Sequence, residues 1–560
     1  MEEYLSCHHI ALYDSKDMIR GRYIQAKTPI KKGTIIISSQ PLGTVSMPQT
    51  RNEYCNYCFR KQSSTSLQRC SQCKKAYFCD IACFKNAWLC YHQYVCKSQS
   101  TTTMDAEDDM DLEMLERVAL NVARYKKRVK GQKSDGGMEE SVDVTMEAFF
   151  SLTGHDSIQR RYAIEKHNAL ATEALKKIFI QQTGLTQKEL VHYLNIFKSN
   201  NFAIDDADMF AIGEGTYPIA SLFNHSCRPN AVVMFDGALA SIHAIEDIEP
   251  NIEITIAYVD AAHSRSYRQK ALREKYFFNC QCERCVSGER PWLSLIDTLL
   301  GEEESDWDRA QELIESQNGK GSLDKRGRVL KQIEEWDLLQ MCKIYDRKSD
   351  GCPDITKPLN IEHYTHYFIQ FFAPYLLTWN QPELHQQKSE LTQKTCLTDF
   401  DDPLPTQARP LVPSTYNEIL KTAIEKMLSH PTNSATIIPY RLTTLSICTR
   451  LFYDEMAGGH WRNAVKLGMY ILIQYCLIYP PYHPMLAQHF LMLAKACWNS
   501  IIQSELINDN MRLEQVYERG VRRWIMSSKE TVAVAFGKHS RLWRETLELE
   551  WIFLREQKLK

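Results

Sequence analysis

The sequence predicts an α+β protein: a β-rich domain split by a small zinc module, followed by an all-helical C-terminal half. Three observations predict it. Eight metal-ligand residues crowd between Cys55 and Cys96, short strand-like runs fill the stretch from Asn201 to Asp260, and helical periodicity takes over beyond Pro291. At 560 residues the chain has room for several domains and a large buried core. Its composition, 44% hydrophobic and 24% charged with a net charge of −2, excludes both a global basic field for nucleic-acid binding and the acidic excess of a disordered chain.

Residues 1–50 hold β-rich runs such as Thr34-Ile35-Ile36-Ile37, punctuated by Pro29, Gly33, Pro41 and Gly43, which predicts strands and turns in a piece too small to fold alone. The zinc module follows with the spacing Cys55-x2-Cys58-x11-Cys70-x2-Cys73-x5-Cys79-x3-Cys83-x8-His92-x3-Cys96. Eight such donors fill two tetrahedral zinc sites, whose binding energy replaces the core that so short a segment lacks. Counting its side chains, seven thiolates and two Zn²⁺ leaves residues 51–97 at about +3, a modest basic surface that solvation explains. Seven acids and no base lie between Asp105 and Glu116, which reads as a solvated helix start or connector, or more sharply as a strip screening the zinc module.

Residues 157–198 are predicted helical, with Ile158, Tyr162, Ile164, Leu170, Ala174, Leu175 and Ile178 at three- and four-residue steps. From Asn201 the period shortens. Residues 231–235, 238–244 and 252–257 read as strands, separated by turns at Asp236-Gly237 and Glu249-Pro250-Asn251, and Gly213-Glu-Gly215-Thr-Tyr217-Pro218 reads as a further turn. Beyond residue 291 the pattern is helical, with connectors at 319–321 and 350–353, a Pro/Gln/Thr-rich loop at 381–413, and stacked helix pairs from about 414. Residues 467–494 contain no Asp, Glu, Lys or Arg, yet their continuous apolar part ends near Ile478 and Pro480-Pro481 with Pro484 breaks the helix. A bilayer needs roughly 20 apolar residues, so two buried helices joined by a proline turn are predicted instead of a membrane span. Eleven of the 19 cysteines fall in zinc-type spacings, and the other eight are expected to be buried free thiols of an intracellular protein.

A second thiol group, Cys280-x-Cys282-x2-Cys285, leaves a tetrahedral zinc one donor short. The nearest unassigned cysteine upstream is Cys227, within Asn224-His225-Ser226-Cys227-x-Pro-Asn230.

These residues carry a resemblance. Asn224-His225-Ser226-Cys227-x-Pro-Asn230, then Tyr258, then Tyr276-x-Phe278-x-Cys280-x-Cys282-x2-Cys285 resemble the SET methyltransferase core with its cysteine-rich tail, and the eight-ligand module resembles a MYND zinc finger. The combination, with Tyr479-Pro-Pro481-Tyr-His483-Pro484 in a helical tail, resembles the SMYD family of protein lysine methyltransferases over nearly the whole chain. The resemblance implies an N-terminal SET part (1–50), a MYND finger (51–97), a linker leading into a helical insert (98–156), the helical SET insert (157–200), the SET core (201–263), a post-SET zinc segment (264–290) and a TPR-like C-terminal domain (291–560).

It also implies S-adenosylmethionine as cofactor and three Zn²⁺ ions. Asn224 would hold the methionine part of the cofactor and the His225 backbone would meet adenine; Asn200 and Ser221 match further contact positions. Tyr276 and Phe278 would supply aromatic faces, Arg20 and Arg22 would meet the cofactor carboxylate, and Tyr258 would be the central catalytic residue and also touch the cofactor. The family's Gly-x-Gly element departs from pattern here as Gly21-Arg22-Tyr23, and glycine at the second position allows close backbone approach to a ligand. The expected function is therefore S-adenosylmethionine-dependent methylation of lysine in histone or other proteins. The alternative, which Tyr23 supports, is a weakly active or inactive adaptor in transcriptional regulation, binding proline-rich peptides at the finger and other partners at the tail. A monomer of the cytoplasm or nucleus is expected, with no membrane partner; a DNA-binding regulator lacks a recognition helix or long basic stripe.

Overall fold

The computed structural model describes residues 1–15, 21–62, 66–96, 105–129, 139–286, 442–503 and 511–559, with the isolated positions Gly327 and Leu330. Arg20, the connectors at 319–321 and 350–353, the loop at 381–413 and the thiols Cys342, Cys352 and Cys396 lie outside the described residues. Two compact units are distinguished: one of Met1–His225, Asn230–Ile256 and Leu272–Phe278, the other of Ser226–Pro229, Ala257–Ala271 and the chain from Asn279.

The first unit opens with helix α1 (Glu2–Cys7) and the antiparallel pair β1 (Ile10–Asp14) and β2 (Arg22–Ala26), registered Ile10↔Ala26 to Asp14↔Arg22. Strands β3 (Ile35–Ser39) and β4 (Gly43–Ser46) lead into the cysteine module, which carries the short pair β5 (Gln68–Arg69) and β6 (Tyr77–Phe78), helix α2 (Ile81–Ala87), one wide helical turn and α3 (Gln93–Val95). Five helices follow: α4 (Ala106–Val129), α5 (Glu139–Ser151), α6 (Arg161–Leu175), α7 (Ile178–Gln181) and α8 (Gln187–Lys198). The last begins at a capping box in which Thr186 and Glu189 satisfy each other's backbone donors. Its Leu190, Tyr193, Leu194 and Phe197, three to four residues apart, are buried.

Strands β7 (Asn201–Asp205), β8 (Ala211–Thr216), β9 (Asn224–His225), β10 (Ala231–Asp236), β11 (Leu239–Ala244) and β12 (Thr255–Ile256) complete the β region, and α9 (Arg265–Lys275) comes after it. They form three-stranded antiparallel sheets β4-β8-β7 and β10-β11-β3 and the parallel pair β12-β9. Residues before and after the cysteine module therefore share both sheets. Ile24, Ile36, Ile37, Val45, Ile204, Ile242 and Ile254 are buried from these strands. The Asp236-Gly237 turn is where the sequence predicts it, and within the expected 252–257 strand Thr255–Ile256 pairs with β9 while Glu253 forms an isolated antiparallel bridge with Gln25 of β2.

Three expectations change. The stretch from Gly213 is strand rather than turn: Cβ atoms at Gly213 would stand 2.4 Å from the Phe59 ring, and at Gly215 2.6 Å from the Tyr217 ring, so the glycines make room for packing. Ile158, Tyr162 and Ile164 are exposed, because α6 starts at Arg161 and buries its His167, Leu170, Ala171 and Ala174 face instead. The acidic block is no solvated connector. It forms the first half of α4, where buried Asp111 meets Lys198 at 2.9 Å, buried Glu116 meets Lys177, and Asp108 meets Lys166 at 2.5 Å. Charge alone suggested solvation; lysines distant in sequence supply the partners that make burial tolerable.

In the second unit, α10 (Leu442–Gly458), α11 (Trp461–Ile478), α12 (Pro484–Ile502), α13 (Met511–Ala535) and α14 (Arg541–Leu559) each pack against the next. The charge-free stretch is two helices broken at Tyr479–His483, with His483 capping α12 by accepting from the Met485 N–H. No helix among the described residues is long and apolar enough to cross a membrane. Of the scattered thiols, Cys448 and Cys497 are buried as expected, whereas Cys7 and Cys90 are exposed.

Candidate active site and metal centres

Gly21 precedes β2 with φ +60°, a conformation glycine adopts without cost, so the first glycine of the Gly-x-Gly element has a backbone reason to be there. Tyr23 does not need one. It lies within β2 opposite Tyr13, the two rings stacked at 5.8 Å, an ordinary cross-strand aromatic pair. Arg22, opposite Asp14, is half-buried, and desolvation lowers its pKa below the usual guanidinium value.

β9 is two residues long, yet it is fixed from two sides. Asn224 Nδ2 donates to the Arg22 carbonyl at 2.8 Å and to Glu253 Oε1 at 3.0 Å, and β9 runs parallel to β12 with Asn224 opposite Thr255 and His225 opposite Ile256. Asn230 fastens the same strand: its Nδ2 donates to the Glu253 carbonyl at 2.9 Å and its Oδ1 accepts from the Thr255 N–H at 2.9 Å. Glu253 was not singled out in the sequence, where a lone acid after Asn251-Ile252 carries no signal. Asn200 and Ser221 meet directly, Ser221 Oγ donating to the Asn200 carbonyl at 3.2 Å, and the His225 and Phe278 rings lie 6.1 Å apart. Phe277, between Tyr276 and Phe278, has φ +62° and packs its ring 4.9 Å from His155. Arg22, Asn200, Ser221, Asn224, His225, Tyr276 and Phe278 are all half-buried, neither sealed in core nor free in solvent. Thus the first unit brings Arg22 to Asn224, Asn200 to Ser221 and His225 to Phe278.

In the second unit, Tyr258 follows β12 by two residues and is half-buried. The segment after it is anchored: the Asp260 carboxylate accepts from the Tyr479 hydroxyl at 2.8 Å and from the Ala262 N–H at 2.9 Å. Tyr479 is buried, and desolvation raises its pKa well above the ordinary value, so it stays a donor.

All twelve predicted metal ligands fall into three clusters, each with its donor atoms within 4.8 Å of one another: Cys55, Cys58, Cys79 and Cys83; Cys70, Cys73, His92 and Cys96; and Cys227, Cys280, Cys282 and Cys285. Zn–S bonds of about 2.3 Å put tetrahedral donors about 3.8 Å apart. Cys58 and Cys79 are at 3.4 Å, Cys70 and Cys96 at 3.7 Å, Cys73 Sγ and His92 Nε2 at 3.7 Å, and Cys227 and Cys285 at 3.6 Å. The residues therefore fit three zinc ions. The first two sets interleave along the chain, a pairing that spacing left open. Both close around Phe78, whose ring meets His92 edge-on at 5.5 Å.

The third set confirms Cys227 as the spatial partner of Cys280, Cys282 and Cys285 and reveals Arg268, wholly buried beside it. Its Nε donates to Cys227 Sγ at 3.2 Å and its Nη1 to the His263 carbonyl. Four thiolates around one divalent ion carry two negative charges, which accounts for a cation buried here.

Comparisons with known proteins agree with this geometry. The SET domain family model matches residues 21–259. Histone-lysine N-methyltransferase SMYD3 of Homo sapiens is 29% identical over 345 residues, 60% of this chain and 72% of that protein. Histone-lysine N-methyltransferase ASHR1 of Arabidopsis thaliana is 27% identical over 282 residues, 49% of this chain and 54% of that protein. N-lysine methyltransferase SMYD2 of Homo sapiens is 25% identical over 274 residues, 48% of this chain and 59% of that protein. The chain thus spans between about half and three-quarters of the length of these relatives. The SET-domain match and the relatives named SMYD3 and SMYD2 support the SMYD family of SET-domain proteins for this chain, whose sheets are assembled from both sides of a cysteine module.

Proposed function

We propose that this chain transfers methyl groups from S-adenosylmethionine to lysine side chains of proteins, histones or others. The observation that carries the reading is the fastening of β9: a strand of two residues held by the Arg22 carbonyl, Glu253 and β12, whose continuation bears Tyr258. Such fixation is what positional catalysis asks of a protein.

Bound S-adenosylmethionine supplies an electrophilic methyl group on a sulfonium. The chain's residues hold, orient and keep water away. Arg20 and Arg22 meet the cofactor carboxylate, Asn224 holds its methionine part, the His225 backbone meets adenine, and Asn200 and Ser221 add contacts from their shared corner. Tyr276 and Phe278 supply aromatic faces. Tyr258 touches the cofactor and orients the lysine nitrogen through its hydroxyl. A lysine with a reference pKa near 10.4 must lose a proton, which costs roughly 4 to 5 kcal/mol at pH 7; an aromatic, desolvated channel lowers that cost by disfavouring the ammonium form. The three clusters hold Zn²⁺, which supplies folding energy and fixes the segments that flank the site.

Within this reading the domain limits are those the resemblance implies: SET parts at 1–50 and 201–263 around a MYND finger at 51–97, a linker at 98–156, a helical insert at 157–200, a post-SET segment at 264–290 and a TPR-like domain at 291–560. The finger takes proline-rich peptides, and the protein works as a monomer in the cytoplasm, the nucleus or both. An inactive adaptor is the weaker reading, because Tyr23, the residue behind it, sits in a regular cross-strand aromatic pair with Tyr13.

The test is labelled cofactor incubated with wild type, Tyr258→Phe and a lysate. Labelled protein bands are expected with wild type and about 10²-fold less label with the variant, the usual loss for one transition-state contact. Equal labelling by both removes Tyr258 from its role, and no labelling by zinc-loaded wild type overturns the assignment.

A further inference from the structure

A cavity of about 320 Å³ opens in the first unit, away from the residues above, where the cysteine module, the β3–β4 connection, the β10–β11 hairpin and α4 meet. Its size is that of a small-ligand pocket. At one end the charges are already matched: Arg60 forms a two-point ion pair with Asp236 at 3.2 and 2.8 Å, beside the Cys58 carbonyl that receives the Ala238 N–H.

The other end is different. The Arg117 guanidinium lies 4.0 Å from the centre of the Tyr91 ring, and the residue is only 9% exposed. The carboxylate in ion-pair range, Glu113, is shared: it is 3.6 Å from Arg117 Nη2 and also 3.2 Å from Arg51 Nη2, while Glu116, itself paired with Lys177, acts on Arg117 from farther off. Arg117 Nη1 is buried and has no hydrogen-bond partner among the described residues. Nearby Asn121 is engaged elsewhere, donating to the Leu42 carbonyl at 2.5 Å and accepting from Arg124 at 3.3 Å. A buried donor of a charged group left unmatched is costly, and such groups in native proteins are normally satisfied. The remaining wall is mixed, with Pro41, Leu42, Tyr57 and Leu239 offering an apolar face beside the polar Gln40 and Thr44.

We propose that this cavity is a binding site for a small monocarboxylate with an apolar body, its carboxylate accepting from Arg117 and its body lying against Leu42, Tyr57 and Leu239. A single negative charge is favoured over a phosphate dianion, because Arg117 is one cation and Arg60 at the far end is already taken by Asp236.

The probe is N-acetyl-leucine against its uncharged amide, titrated into the zinc-loaded full chain and followed by saturation-transfer NMR. The acid is expected to bind at least about tenfold more tightly than the amide, the worth of one charge-assisted hydrogen bond. Leu239→Trp, which fills the cavity and leaves Arg117 in place, abolishes saturation of the acid; Arg117→Gln equalises acid and amide. Melting temperature and zinc content check each variant, and if Arg117→Gln does not fold, Leu239→Trp alone decides. Equal affinity for acid and amide in wild type, no saturation of either, or undiminished binding of the acid to folded Leu239→Trp overturns the proposal.

Discussion

Gly237 turns the β10–β11 hairpin with φ +62°, and a methyl group added to it would lie 2.2 Å from the Cys58 carbonyl oxygen. Two demands coincide there: a left-handed backbone, which costs about 1 kcal/mol or more for a residue with a Cβ, and the bare approach that lets the next N–H, that of Ala238, donate to the same carbonyl at 2.9 Å. Because the struck atom is the backbone carbonyl of Cys58, itself one of the clustered thiol residues, it cannot swing aside as a side-chain tip would. Gly237→Ala is therefore expected to destabilise the first unit by about 2 to 4 kcal/mol, read as a lower urea midpoint, and to speed zinc loss to a chromogenic chelator. Unchanged chelation kinetics would mean that the hairpin does not brace the Cys55 to Cys58 loop. The turn itself is legible in Asp236-Gly237, whereas the contact that makes its glycine indispensable is not, since Cys58 lies far away in sequence.

Helix α4 buries what its composition exposes. Glu116 is 1% exposed and pairs with Lys177, yet desolvation outweighs the lysine and raises its carboxyl pKa to about 7 from the ordinary 4.5. A folded-state pKa above the unfolded one means that the native state binds more protons, so this group's favourable contribution is complete below pH 4.5 and is lost as pH rises through 7. Glu116→Gln removes that dependence. Relative to wild type, the variant's stability is expected to improve steadily between pH 4.5 and 7 by on the order of 2 kcal/mol, checked by urea midpoints across the interval; parallel curves would show that Glu116 is ionised throughout. Elements with a strong local signal were legible: the three Cys/His clusters able to hold zinc, the Asp236-Gly237 hairpin, and the proline break between α11 and α12. What escaped depends on distant partners. Acids read as solvated because Lys166, Lys177 and Lys198 stand far along the chain, and Gly213 read as a turn because the Phe59 ring that needs its space arrives from the cysteine module.

At the scale of the whole molecule, the C-terminal helices bear on the proposed chemistry through what they hold within their own unit. Tyr479, just after α11, donates to Asp260, two residues beyond Tyr258, while Arg268 of α9 joins the third metal cluster to the His263 carbonyl. The segment carrying Tyr258 is thus tied at Asp260 to the helical tail and at His263 to the metal centre. The Tyr479 ring is itself fixed, stacked on His483 at 4.4 Å, and burial lowers the His483 pKa to about 4, so His483 is not a cation competing for Asp260 near neutral pH. Tyr479→Phe keeps the stacking and deletes only the donor, at a cost of about 1.5 to 3 kcal/mol for a bond to a charged acceptor. If the tie positions Tyr258, kcat falls about tenfold or more while the cofactor dissociation constant moves less than threefold, because alignment is lost and cofactor contacts are not. A contact serving stability alone gives a lower melting temperature with kcat unchanged, and that outcome would leave the helical tail without a part in positioning Tyr258.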